Sequence, residues 1–276
     1  MIVPDQPAIG RISNSFALSV AVFGFRYLPR GKAAFARKIG ALLLGDRLVT
    51  SPTDYGYNLV CPGSALDMAA FLRVGKNWDN HVLDCCLANL GEDGIFYDVG
   101  ANLGFMALSV AKKRGGNVKV FAFEPNPDLA RSIATAASVN NLAVRVLPLA
   151  MSDVSGDVSF FVPRHTIHAS LKSRQAGATV LNVRAVTLDD LVASGFPAPT
   201  VMKIDVEGAE FELFKGACKT LRQYKPALVY ECDNNLDRFG HSREEVESLL
   251  KSFGYLNIRR LRKTSGDWSD DYIATA

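Results

Sequence analysis

The stretch FYDVGANLGFMALSV, residues 96–110, constrains the fold more than any other part of the chain. Apolar residues run into Asp98, and Gly100 and Gly104 bracket Asn102. The apolar spacing then changes to the three-and-four period of a helix. A strand that ends in a carboxylate and turns through glycines into a helix is the opening unit of an open α/β sheet. Ligands of such sheets sit beyond the carboxyl ends of the strands.

The rest of the chain repeats the alternation. VKVFAFEP reads as a strand, residues 127–139 as a helix with Pro127 in its first turn, and AVRVLPLA as a third strand. TVMKID, a helix over 207–219, ALVYECD and a helix over 242–253 opened by Ser242 follow. GYLNIRRLR and DYIATA have no helix between them, which predicts an antiparallel closing pair. Strands alternating with helices predict a doubly wound, mostly parallel α/β sheet. Residues 153–188 break the rhythm. GDVSFFVP and VLNVRAVTL read as strands joined by a polar loop holding His165 and His168, a β insertion before the fourth core strand.

A chain of 276 residues, 48% apolar and 21% charged, can bury a sizeable core without staples. Of the five cysteines, Cys85 and Cys86 are adjacent and Cys61, Cys218 and Cys232 are scattered. No C-x-x-C pair signals zinc or a disulfide framework, which suits a reducing, cytoplasmic setting. Net charge is +3, but residues 1–50 alone carry +5. A basic arm of this kind suits a membrane surface or an acidic substrate, or is simply a solvated helix face. The run FALSVAVFGF, residues 16–25, is about half the length that crosses a bilayer. As a signal-peptide core it is preceded by a long n-region containing Asp5 and followed by no small-residue cleavage site. It reads as a helix facing the core or a partner, and no transmembrane segment is expected.

Acidic or polar residues stand after every core strand: Asp98; Glu124, with Pro125 and Asn126; Ser152 and Asp153; Asp205 and Glu207; Glu231 and Asp233. Such groups are costly to bury unless they bind something. The loop G-A-N-L-G-F does not match the dinucleotide fingerprint G-x-G-x-x-G, because Asn102 and Phe105 occupy its second and third glycine positions. It also lacks the G-K-[ST] of a phosphate-cradling loop. Asp98 suits a ligand that presents a cation. Glu124, 24 residues beyond Gly100, stands where an acid accepts from both hydroxyls of a ribose. S-adenosylmethionine has an amino group, a sulfonium and a ribose, and no phosphate.

FYDVGANLGFMAL, VFAFEPNP, LAMSDVSGDVSFF and above all VMKIDVEGAEFELFKGA closely resemble the FkbM family of S-adenosylmethionine-dependent methyltransferases, over roughly residues 90–235. The resemblance implies a class I methyltransferase sheet of seven strands, the last antiparallel, and methyl transfer to a hydroxyl of a sugar, glycan or polyketide-type metabolite. It implies that Asp98, Gly100, Ala101, Asn102 and Gly104 hold the methionine portion of the cofactor. Glu124 would hold the ribose, Pro125 and Asn126 would shape the adenine side, and Ser152 and Asp153 would lie beside the adenine. Asp205 would close strand four, facing the methyl donor. Residues 81–276 would then be the methyltransferase domain. Residues 1–80, a helical extension matching no motif, would be a candidate substrate-side cap, and a homo-oligomer is compatible with the chain.

Methyl transfer to oxygen requires the acceptor to be aligned and its proton weakened or removed. His165, His168 and Asp205 are the candidate bases. Alternatively, Asp205, Asp233 and Asn234, oxygen donors after adjacent strands, suit Mg2+ polarising the acceptor. Gly100 is expected to serve close approach of the cofactor. Two other functions share the fold. An RNA methyltransferase would want a basic face with interleaved aromatics, whereas the chain beyond residue 50 sums to −2, so no nucleic-acid partner is expected. A non-catalytic binding module would lack cofactor affinity.

Overall fold

The computed structural model describes residues 4–10, 12–13, 16–45, 47–74, 79–163, 170–172, 178–261 and 270–276. In chain order the elements are β1 (Ile12–Ser13), α1 (Phe16–Tyr27), α2 (Lys32–Leu43), β2 (Leu48–Pro52), β3 (Asn58–Pro62), α3 (Leu66–Val74), α4 (Asn80–Asn89), β4 (Ile95–Val99), α5 (Phe105–Arg114), β5 (Lys119–Phe123) and α6 (Pro127–Val139). Then follow β6 (Val144–Leu147), β7 (Ala150–Met151), β8 (Gly156–Val162), β9 (Thr179–Val186), α7 (Leu188–Ala193), β10 (Val201–Ile204), α8 (Glu210–Lys215), α9 (Cys218–Tyr224), β11 (Ala227–Glu231), α10 (Arg243–Ser252), β12 (Asn257–Arg260) and β13 (Asp271–Thr275).

Seven strands form the central sheet in the order β12-β13-β11-β10-β4-β5-β6. Pairing is parallel from β11 through β6, and β13 runs antiparallel to both β11 and β12. This is the class I methyltransferase sheet, with the antiparallel closing pair in place. The strands read as nearly continuous apolar runs because both faces are covered. Alternate residues feed two cores: Phe96, Val120, Val146, Val201 and Val229 pack under α4, α5 and α6. Tyr97, Phe121, Leu147, Met202 and Tyr230 pack with α8, α9 and α10 on the other face.

Local signals fix several boundaries. Asn126 Oδ1 caps α6 by accepting from Asp128 N, with Pro127 at the first helical position. Ser242 and Glu245 close a reciprocal capping box on α10. The β insertion is a small sheet, β7-β9-β8.

Three expectations are corrected. Residues 143–150 are not one strand: β6 ends before Pro148, and β7 joins the insertion sheet. The helix expected over 207–219 starts later and breaks, because Glu207 and Gly208 adopt positive φ and the chain turns again between α8 and α9. The N-terminal extension is not purely helical, since β1, β2 and β3 form a sheet of their own.

That extension shares an apolar core with α4, α5 and α6. The Tyr57 hydroxyl lies 2.9 Å from Ser109 Oγ and donates to Phe105 O at 3.1 Å. Gln6 Oε1 accepts from Val146 N at 2.8 Å, satisfying an amide of the edge strand β6.

Candidate functional site

Four strand ends converge on one pocket. Its lining comprises Val99 at the end of β4 with Gly100 and Asn102 beyond it, Glu124 and Pro125 after β5, and Asp205, Val206 and Glu207 after β10. Leu129 of α6, Leu149, Ala150 and Met151 after β6, and Phe160 and Leu171 of the insertion complete it. The sheet order β10-β4-β5-β6 spreads these groups across the pocket. Carboxylates stand at the β10 end, Glu124 lies in the middle, and an apolar wall closes the β6 end. None of the described lining residues is basic.

The glycine loop is built by backbone constraints. Gly100 N and Ala101 N both donate to Phe123 O at 3.0 Å, stitching the loop to β5. Gly100 has φ +75°, and a Cβ there would lie 1.8 Å from the carbonyl oxygen of Asp205. Its glycine is therefore required by the neighbouring strand end, in addition to any ligand. A Cβ on Gly104 would meet Ile133 at 2.8 Å, so that glycine permits the packing of α5 on α6. Asn102, at φ +53°, projects into the lining, and its Oδ1 is buried without a hydrogen-bond partner.

Glu124 is buried and binds two backbone amides, Asn102 N at 2.8 Å and Asn126 N at 2.9 Å. Burial pushes its carboxyl up to about 7 despite those two donors. Each oxygen retains a further acceptor position.

Asp98 is fully buried and stands behind the pocket lining. Its Oδ2 accepts from Ala107 N at 2.9 Å in the first turn of α5, and its Oδ1 lies 3.8 Å from Lys203 Nζ with no hydrogen-bond partner. Lys203, opposite Asp98 in the β4–β10 register, also approaches Asp205 Oδ2 at 3.2 Å. Burial holds Asp98 above the usual carboxylate range, and Lys203 opposes that shift. Asp205 is half-exposed and lines the pocket.

Other expected residues are committed elsewhere. Asp153 pairs with Lys215 Nζ at 2.8 Å, Ser152 Oγ reaches Asp153 at 3.4 Å, and neither lines the pocket. Asn126 spends its side chain on the α6 cap. His165 and His168 lie outside the described residues. Asp233 accepts from Asn235 N and from Asn235 Nδ2, both at 2.8 Å, which ties its side chain to the following turn. Asn234 is exposed. Among the described residues no group of three His, Cys, Asp or Glu side chains is arranged to hold a metal ion.

Sequence reasoning missed the apolar wall of Leu129, Leu149, Met151, Phe160 and Leu171. Its available signal was the aromatic pair at 160–161 in the insertion. It also gave no role to Glu231, whose carboxyl is held well above the usual range by burial, with Asp205 and Asp233 adding to the rise. Asp79, at the start of α4, is raised to about 7 by burial, against the pull of Lys203.

A family model of the methyltransferase FkbM domain matches residues 98–256. A hexuronic acid methyltransferase of Haloferax volcanii is 32% identical over 152 residues, 55% of this chain and 61% of that protein. The match thus spans less than two thirds of the archaeal relative's length. A methyltransferase of Sordaria araneosa is 26% identical over 223 residues, 68% of this chain and 82% of its own. The crystal structure of a methyltransferase FkbM from Methylobacillus flagellatus superposes with a TM-score of 0.48 at 16% identity, covering 88% of this chain and 59% of that one.

Proposed function

The chain belongs to the FkbM methyltransferase family, and from that premise we propose that it transfers a methyl group from S-adenosylmethionine to a hydroxyl oxygen of a sugar, glycan or polyketide-type small molecule. The observation that carries this reading is the polarity of the pocket. Acids stand at one end, Glu124 in the middle and an apolar wall at the other end, with no basic side chain in the described lining. That order fits a cationic amino-acid end, a ribose and a purine, and disfavours a phosphate-bearing cofactor. The partnerless, buried Asn102 Oδ1 fits as well, since an orphan acceptor in a pocket wall is costly until a donor arrives.

In this reading Glu124 accepts from the ribose hydroxyls with the lone pairs its two amide contacts leave open. Asp205 and the glycine loop meet the amino-acid end, and Leu149, Met151 and Phe160 enclose the purine. Asp98 acts from behind, fixing α5 and Lys203. Ser152 and Asp153 support the purine side through the backbone. The cofactor supplies an already activated methyl group on its sulfonium. The protein's part is to align the acceptor, exclude water and take up the hydroxyl proton. Asp205, with His165 and His168, remains the set of candidate bases, and no metal is required for the step. The extension of residues 1–80 reaches the loop through Tyr55, whose ring meets Phe105 edge-on at 5.0 Å, and serves as a wall on the acceptor side.

The sugar acceptor is favoured because the archaeal relative is a hexuronic acid methyltransferase. Calorimetry with S-adenosylmethionine, followed by labelled methyl transfer to a panel of uronic acids, neutral sugars, hydroxylated polyketides and RNA, tests the reading. Absence of cofactor binding would support a non-catalytic module, and label in RNA alone would replace the acceptor class.

A further inference from the structure

Helix α1 carries no charge until Arg26 and only one polar side chain, the exposed Ser19, yet it lies at the surface. Ala17, Leu18, Ala21 and Gly24 are buried beneath it, where α1 packs on α2 and α3. The outer stripe is Phe16, Val20, Phe23 and Tyr27, spaced by four, three and four residues, which puts them on one face. Phe16, Phe23 and Tyr27 are 64%, 63% and 65% exposed, and Leu42 of α2 is 79% exposed. The Phe23 and Tyr27 rings already pack together at 4.8 Å. A contiguous exposed stripe of large apolar side chains marks an interaction surface.

The charge beside this stripe identifies what covers it. Residues 16–45 carry five Lys or Arg and no Asp or Glu. Arg37 is paired with Asp67, while Arg26, Arg30 and Lys38 are exposed. A second copy of the same face would bring like charge against like charge. A surface that is apolar within and anionic outside matches both features. We propose that the α1–α2 face docks on an anionic membrane surface, with Phe16, Phe23 and Tyr27 entering the headgroup boundary and Arg26, Arg30 and Lys38 meeting lipid phosphates. The helix lies in the plane of the interface, since no helix among the described residues is long and apolar enough to cross a membrane.

The test is flotation of the full chain with vesicles of equal parts phosphatidylglycerol and phosphatidylcholine, and with phosphatidylcholine alone. Binding to the anionic vesicles should exceed binding to the neutral ones by about tenfold or more and fall at about 0.5 M salt, where screening shortens the reach of exposed charges. The double variant Phe23→Ser/Tyr27→Ser should lose that binding while keeping its circular dichroism and its affinity for S-adenosylmethionine. Arg30→Glu/Lys38→Glu should lose it by a separate route. Equal binding to both vesicles, no binding to either, or undiminished binding by the double variants would overturn the proposal. So would sedimentation showing a dimer that Phe23→Ser/Tyr27→Ser converts to monomer, which would assign the face to a second copy.

Discussion

Glu124 Oε2 accepts the backbone N–H of Asn102 at 2.8 Å, so the end of β5 holds the glycine loop after β4 in place. Glu124 Oε1 does the same for Asn126 N. At pH 8, above the raised titration of its carboxyl, Glu124→Ala removes a buried charged acceptor from both amides and from any ribose. S-adenosylmethionine affinity should fall by about 1.5–3 kcal/mol, the range for hydrogen bonds to a charged group. Unchanged affinity by calorimetry, in a variant that melts cooperatively, would refute the ribose assignment.

Several carboxyls here keep their protons unusually high, chiefly through burial: Glu124 to about 7, Glu210 to about 8 and Asp79 to about 7. Unfolded, the glutamates titrate near 4.5. Between that value and about 8 the folded state therefore binds more protons, and stability falls as pH rises through the window. The protein without cofactor should melt higher at pH 6 than at pH 8. A saturating cationic cofactor should narrow the gap, because it favours the ionised carboxylates. Scanning calorimetry at both pH values, with and without S-adenosylmethionine, decides this; a higher melting temperature at pH 8 without cofactor contradicts it.

The legible parts of the fold were those written in local chemistry. Pro127 and Ser242 mark helix starts that the structure reproduces. Lys203 and Asp205 share a strand face and pair, as their spacing of two implies. What stayed hidden depends on tertiary context. Nothing local to Gly100 shows that the Asp205 carbonyl leaves no room for a side chain. Asp153 follows β7 of the insertion sheet and not a core strand, and Lys215, 62 residues away, takes its carboxylate. The break after β10 follows from left-handed geometry at Glu207, a residue whose ordinary preference is helical.

Gly100→Ala tests that hidden contact. The left-handed φ and the clash with the Asp205 carbonyl together should cost about 2–5 kcal/mol. Gly91→Ala, where an added Cβ meets nothing within 4 Å, serves as the control. Chemical denaturation should separate the two. Equal stabilities would mean that β4 and β10 part readily at their ends and that Gly100 serves the ligand alone.

Lys203 is the cation that Asp98 faces, at 3.8 Å from a carboxylate that is otherwise enclosed. Lys203→Met leaves that charge buried and unpaired, and the expected loss is about 3–5 kcal/mol. Adding Asp98→Asn to it should recover part of the loss, a coupling that denaturant titration of the two single variants and the double variant measures. Additive losses would show that the pair is too distant to interact.

The last prediction concerns Mg2+. Asp233 gives one carboxylate oxygen to the backbone and the other to the side chain of Asn235, so it functions as a turn residue at the head of the segment 234–239. Asp205, by contrast, lines the pocket and has one flank open. Methyl transfer should therefore continue in chelator. Asp233→Ala should cost about 1 kcal/mol of stability, as loss of a capping side chain does, with turnover nearly unchanged. Asp205→Asn should weaken cofactor binding and lower turnover together. A pH–rate profile should then report the ionisation of a side-chain base, flattened in the His165→Ala or His168→Ala variant if either imidazole is that base. Loss of activity in chelator, restored by added magnesium and abolished in Asp233→Ala, would assign Asp205, Asp233 and Asn234 to a metal.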